Sequence, residues 1–160
     1  MQVDSLLNDV AVRRDLRNAI AQALYRCTDA GENIFYDHTI EFTSSQMPGI
    51  NVAHFPIENK PDAVEKQVGF LVLASVQAPT GDTMVRDEAT GLCVDPLVVA
   101  ADTLDEQIAE RLSGLSIAFG CSATCTRVHV ATSALQFSSA GAKRMALIRR
   151  LIIADYIEQI

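Results

Sequence analysis

"KRMALIRRLIIADYIE", residues 143–158, has two readings, and the rest of the chain is organised by the choice between them. Its apolar residues fit a helical period nearly as well as an alternating one. Ile148, Ile152, Ile153 and Ile157 are β-branched, and the Gly-containing turn "SSAGA" precedes them, so the segment reads as a strand. On a strand, adjacent side chains point to opposite faces. One of Arg149 and Arg150 therefore faces either the covered side of the sheet or another subunit.

The stretch before the turn, "TCTRVHVATSALQF" (124–137), becomes the other arm of a closing hairpin. It holds the most suggestive spacing in the chain: Cys121, Cys125 and His129 stand at even steps of four. On a helix they would line one face and resemble a metal site. Thr124, Thr126, Val128, Val130 and Thr132 favour a strand instead. A strand rises about 3.3 Å per residue, so ligands four apart stand about 13 Å apart and cannot share one ion. A structural zinc site also needs four ligands, and only Cys93 offers itself as a further thiol nearby. The expected state of the cysteines is buried or half-buried free thiol. Cys125, Arg127 and His129 are expected on one face, with Arg127 the residue there most suited to touching a partner.

Working back, "QVGFLVLASVQA" (67–78) is the strongest strand, with Val68, Phe70, Val72 and Ala74 on one face and Leu71, Leu73 and Ser75 on the other. Apolar on both sides, it belongs in the middle of a sheet. "NIFYDHTIEF" (33–42) and "INVAHFPIE" (50–58) alternate as strands, the second setting Ile50, Val52 and His54 against Asn51, Ala53 and Phe55. Residues 4–27 read as a helix capped by Asp4 or Ser5, with Leu6, Leu7, Val10, Leu16, Ile20, Ala23 and Leu24 buried and Arg13, Arg14 and Arg17 outside that stripe. A second helix is expected from about residue 101, capped by Asp102 or Thr103, with Leu104, Ile108, Leu112 and Leu115 buried. Between strand and helix, residues 79–99 carry Pro, Gly and several acids and read as a projecting loop or short hairpin. The expected fold is a single α+β domain over residues 1–160: a mostly antiparallel, mixed sheet with two helices packed on one face.

Composition excludes some functions. The chain of 160 residues has a formal charge of -7, which opposes general nucleic-acid binding. Its start, "MQVDSLLNDVAVRRD", has no basic stretch followed by an apolar run, so no signal peptide is expected, and no apolar stretch reaches membrane-spanning length. No Walker, dinucleotide or G-x-S-x-G pattern occurs. A Cys–His nucleophile pair, using Cys121 or Cys125 with His129, His54 or His38, would have to be assembled by the fold. No catalytic residue, cofactor or metal is expected. The basic residues fall into two groups, Arg13, Arg14 and Arg17, and Lys143, Arg144, Arg149 and Arg150. They are either solvated surface or contact surfaces that meet the acidic loop, Asp82, Asp87 and Glu88, of a neighbouring copy.

As an ordered set, "LRNAIAQAL", "NIFYDHTIEF", "MPGINVAHF", "KQVGFLVLASVQAP", "TLDEQIAERL" and "ALQFSSAGAKRMALIRRLIIADYIE" resemble the tail terminator (tail-completion) proteins of long-tailed bacteriophages, the family of the phage lambda minor tail protein U. The resemblance covers most of the chain. It departs in the longer 79–99 segment and in the residues before Val10. It implies a structural virion protein assembled in the host cytoplasm, without enzymatic activity or cofactor. A ring of such copies, typically six, caps the tail tube at its head-proximal end, offers a surface to the head–tail connector, and lets DNA pass through its lumen. Contact residues expected on this reading are Arg13, Arg14, Arg17, Asp82, Asp87, Glu88, Arg127, Arg149 and Arg150. The other readings kept open are a different connector protein (adaptor, stopper or neck), a small cytoplasmic thiol-dependent enzyme, and a metal-bound module.

Overall fold

The computed structural model describes residues 2–38, 42–78, 84–140 and 143–158, without the side chains of residues 2–7 and 140. Asp82 lies outside the described residues. Element order is α1 (Gln2–Leu24), β1 (Ile34–Tyr36), β2 (Gly49–Phe55), β3 (Glu65–Gln77), β4 (Val85–Arg86), β5 (Cys93–Val94), α2 (Pro96–Leu112), β6 (Ala123–Val130), β7 (Ala134–Ala140) and β8 (Lys143–Glu158). Six strands form one mixed sheet in the order β1-β2-β3-β8-β6, with β7 also paired to β8. The β1–β2 pair is parallel and the others are antiparallel. This is the expected α+β architecture.

The closing segment is a strand, as its β-branched residues require. β8 runs for 16 residues and pairs along its length with β3. On its other side β6 pairs with its second half and β7 with its first, end to end. At the break between them, Ala131 N–H donates to Leu151 O, so β8 stays bonded across the gap.

One face of the sheet meets both helices. Phe70, Val72, Ala74, Ile148, Ile152 and Ala154 are buried there against Val12, Leu16, Ile20 and Leu24 of α1 and Leu97, Leu104, Ile108 and Leu112 of α2. Each large apolar side chain so buried contributes about 1.5–3 kcal/mol. Tyr156, buried at the end of this layer, donates its hydroxyl to Asp9 Oδ1 at 2.9 Å and sets its ring against Phe119. Burial in the first place, and Asp9 in the second, push its pKa well above the ordinary phenol value.

Several boundaries differ from expectation. α1 is already helical at Gln2, so Asp4 and Ser5 lie within it and do not cap it. Its buried stripe uses Val12 in steps of four with Leu16, Ile20 and Leu24, while Val10 is exposed. α2 begins at Pro96, not near residue 101. Asp95 caps it by accepting the Leu97 N–H at 3.0 Å, and Pro96 follows where a missing N–H costs nothing. Leu115 lies beyond the helix and is half-buried. β1 keeps only three residues of the longer strand expected at 33–42, of which 39–41 lie outside the described residues.

Candidate assembly surface

The face of the sheet away from the helices carries the odd-numbered residues of β3 and β8. Phe55, Gly69 and Ile153 align across β2, β3 and β8, then Ala53, Leu71 and Leu151, then Asn51, Leu73 and Arg149, then Gly49, Ser75 and Leu147. Leu71, Leu73, Leu147, Leu151 and Ile153 are half-buried, and among the described residues no helix lies over them. An antiparallel sheet facing water ordinarily puts polar residues on that side. This one presents a leucine and isoleucine stripe with a cation in it.

At one border a short 3-10 turn, Ser44–Gln46, approaches β2. A Cβ placed on Gly49 would stand 2.2 Å from Gln46 O and 3.0 Å from the Phe42 ring, so only glycine fits there. Phe35, His38 and Phe42 pack edge-on or tilted against one another beside this turn, and Asn51 holds the loop by accepting the His38 N–H and donating to His38 O. The opposite border is polar. His129 Nε2 lies 2.7 Å from Asp155 Oδ2, and Gln67 Nε2 donates to Asp155 Oδ1 at 2.9 Å. Burial raises the Asp155 pKa. The bonds from His129 and Gln67 and the charges of His129 and Arg127 outweigh it, and the carboxyl is held below its ordinary value.

The structure divides the expected contact residues. Arg149 is exposed on the open face, framed by Leu147 and Leu151 on its own strand, Leu73 on β3 and Ala134 on β7. It has no hydrogen-bond or ion-pair partner among the described residues. Arg150 points the other way, beneath α2. It donates to Asp105 Oδ1 and to Ala131 O, each at 2.8 Å, and its side chain is 12% exposed. Asp105 also accepts the Ser133 hydroxyl, so Arg150 ties α2 to the break between β6 and β7. Arg127 is exposed on the open face opposite Asp155. On α1, Arg13 and Arg14 are exposed, Arg14 beside Asp15, whereas Arg17 lies 4.8 Å over the Tyr36 ring and joins α1 to β1.

The expectation that Cys125 shares a face with Arg127 and His129 is corrected. A bulge at Thr126 shifts the β6 register between Cys125 and Arg127. Two residues of β6 there oppose one step of β8, so Cys125 pairs with Tyr156 on the helix side, while Arg127 and His129 stay on the open side. A Cys125–His129 pair is thus divided by the sheet. Burial, ahead of nearby charge, raises the thiol pKa of Cys121 and Cys125, which disfavours the thiolate. Among the described residues no three His, Cys, Asp or Glu side chains gather to hold a metal, and no helix is long and apolar enough to cross a membrane.

The acidic segment forms a small hairpin, β4–β5, with helix from Pro96 onward in place of its expected last residues. Asp87 closes its tip: Oδ1 accepts the Ala89 N–H, Oδ2 accepts the Thr90 hydroxyl, and the Asp87 carbonyl accepts the Gly91 N–H. Both carboxylate oxygens of Asp87 are thereby used inside the turn. Glu88 projects from it without a partner among the described residues, with Met84, Val85 and Leu92 exposed nearby. The hairpin stands off α2 across a mostly apolar groove of about 550 Å³ between Val85 and Val94 on one side and Pro96, Val99 and Ala100 on the other.

The open apolar face is the feature that reading single residues missed. Leu71 and Leu73 did signal a second apolar face, but that pattern is the same whether the chain itself or a partner covers it. With this geometry in view, comparison with known proteins finds no relative: no family model matches the chain, and no curated protein matches it.

Proposed function

We propose that this chain is a structural assembly protein, a tail terminator of a long-tailed bacteriophage. Its copies form a ring, six being the expected number, on the head-proximal end of the tail tube. The ring ends elongation, offers the docking surface for the head connector, and leaves a lumen for DNA. The observation that carries the reading is the half-buried Leu71, Leu73, Leu147, Leu151 and Ile153 face, over which no helix lies among the described residues and which would bury more apolar area under another chain. The ordered resemblance along the chain supplies the particular assembly. The net negative charge suits a conduit that must not hold the DNA passing through it.

Two measurements test this. Particles assembled without the protein should carry abnormally long tubes; tails of normal length left unattached to heads would point to an adaptor, stopper or neck role instead. The mass of the isolated protein should rise to that of a ring when tail-tube protein is added, and no change in mass would count against the proposal.

A further inference from the structure

We infer that the open sheet face is the seat of the β4–β5 hairpin of a second copy, with Glu88 of one copy meeting Arg149 of the next. The inference rests on the self-assembly reading above and names the two surfaces that it leaves undefined.

Three observations converge. Arg149 is a cation with no partner among the described residues, set in an apolar field of Leu73, Leu147 and Leu151. Such a site suits an acid that arrives with apolar flanks. Glu88 arrives in that form: it has no partner among the described residues and stands at a hairpin tip, with Met84, Val85 and Leu92 exposed around it. The tip is also ordered in advance, because Asp87 and its four-residue neighbourhood are closed by their own hydrogen bonds. A preformed tip loses less freedom on docking than a slack loop would.

The hairpin cannot fill its own chain's face. It lies beside Pro96 and Val99 of α2, and Asp95 at the start of that helix is bonded to Arg144, so the hairpin belongs to the helix side of the sheet while Arg149 is on the other. Each copy therefore gives its hairpin to another copy and receives one. Where giver and receiver differ, the contact is heterologous and leads to a closed ring or an open filament; where two copies exchange hairpins, it closes as a two-fold dimer, and the ring reading requires the first arrangement.

Charge reversal tests the pair. Glu88→Arg and Arg149→Glu should each weaken self-association of the full chain by about tenfold or more, as reversal of one member of a close interfacial pair does. The two together should restore it to within about threefold of the unchanged chain. The readout is sedimentation of the full chain, alone and with tail-tube protein. Glu88 is exposed in a loop, so Glu88→Arg leaves folding untouched, and circular dichroism checks Arg149→Glu. Rings that form equally well with either single reversal overturn the hairpin contact and leave the ring reading standing. Single losses without rescue in the double variant overturn the direct pairing. A chain that stays monomeric under both conditions overturns the contact and the ring together.

Discussion

His129 Nε2 sits 2.7 Å from Asp155 Oδ2 across the β6–β8 ladder, on the open face and on the far side of the sheet from Cys125. The Asp155 carboxyl has its folded pKa below the ordinary value. The stability it contributes is fully present above the unfolded carboxylate pKa, about 4, and is lost as pH falls through the lower folded value. Asp155→Asn should flatten the acid limb of the stability curve below about pH 4, as read from thermal melts at a series of pH values. An acid limb identical to that of the unchanged chain would refute the pairing.

Arg149 and Arg150 should behave as opposites. Arg150→Ala leaves Asp105 and the Ala131 carbonyl without their charged donor and should cost about 1.5–3 kcal/mol in urea unfolding. Arg149 is exposed and has no partner among the described residues, so Arg149→Ala should change stability by no more than about 0.5 kcal/mol. Equal losses would contradict the assignment of the two faces.

Gly49→Ala places a methyl group 2.2 Å from the Gln46 carbonyl, a backbone atom that cannot swing aside. A destabilisation of about 1–3 kcal/mol is expected by denaturant titration. Gly31 is constrained differently: an added Cβ meets nothing within 4 Å, but its φ of 59° lies in the left-handed region, so backbone conformation and not contact favours glycine there.

Asp95→Ala removes both the cap of α2 and an acceptor of Arg144. The loss of the cap alone is worth about 1 kcal/mol. Asp102→Ala, on the exposed side of the helix, should be close to neutral in the same measurement.

A mild alkylating reagent should modify Cys93 first. It is exposed, whereas Cys27, Cys121 and Cys125 are half-buried and the last two have raised pKa values. Faster reaction at Cys121 or Cys125, read by mass spectrometry of peptides, would revive the thiol-enzyme alternative.

How far the sequence could be read depended on the kind of signal. The Ile-rich β8 and the four-residue steps Leu104, Ile108, Leu112 declared themselves because periodicity and β-branching act locally. The start of α2 was legible too, in Asp95 followed by Pro96, but proline inside a Gly- and Asp-rich stretch reads first as loop. The Thr126 bulge left no such trace: one extra residue reverses the facing of Cys125 without changing composition or spacing. In the same way parity required Arg149 and Arg150 to part, but only the placement of Asp105 decides which of them turns inward. Asp87 and Glu88 looked equivalent as acids; the Asp87 side chain is spent on its own turn, which leaves Glu88 alone free to reach outward.

The end-to-end arrangement of β6 and β7 along β8 has a consequence for growth of the sheet itself. A single long outer strand would offer an unbroken row of amide and carbonyl groups to any extended chain that came near. Here that rim is cut twice, by the Thr126 bulge and by residues 131–133, and the carbonyl of Ala131 at the second cut is occupied by Arg150. An incoming strand could follow β7 for at most its seven residues before the pattern fails at 131–133. Lateral accretion of backbone is thereby limited to short runs, whereas the side chains of the leucine face can distinguish one neighbour from another.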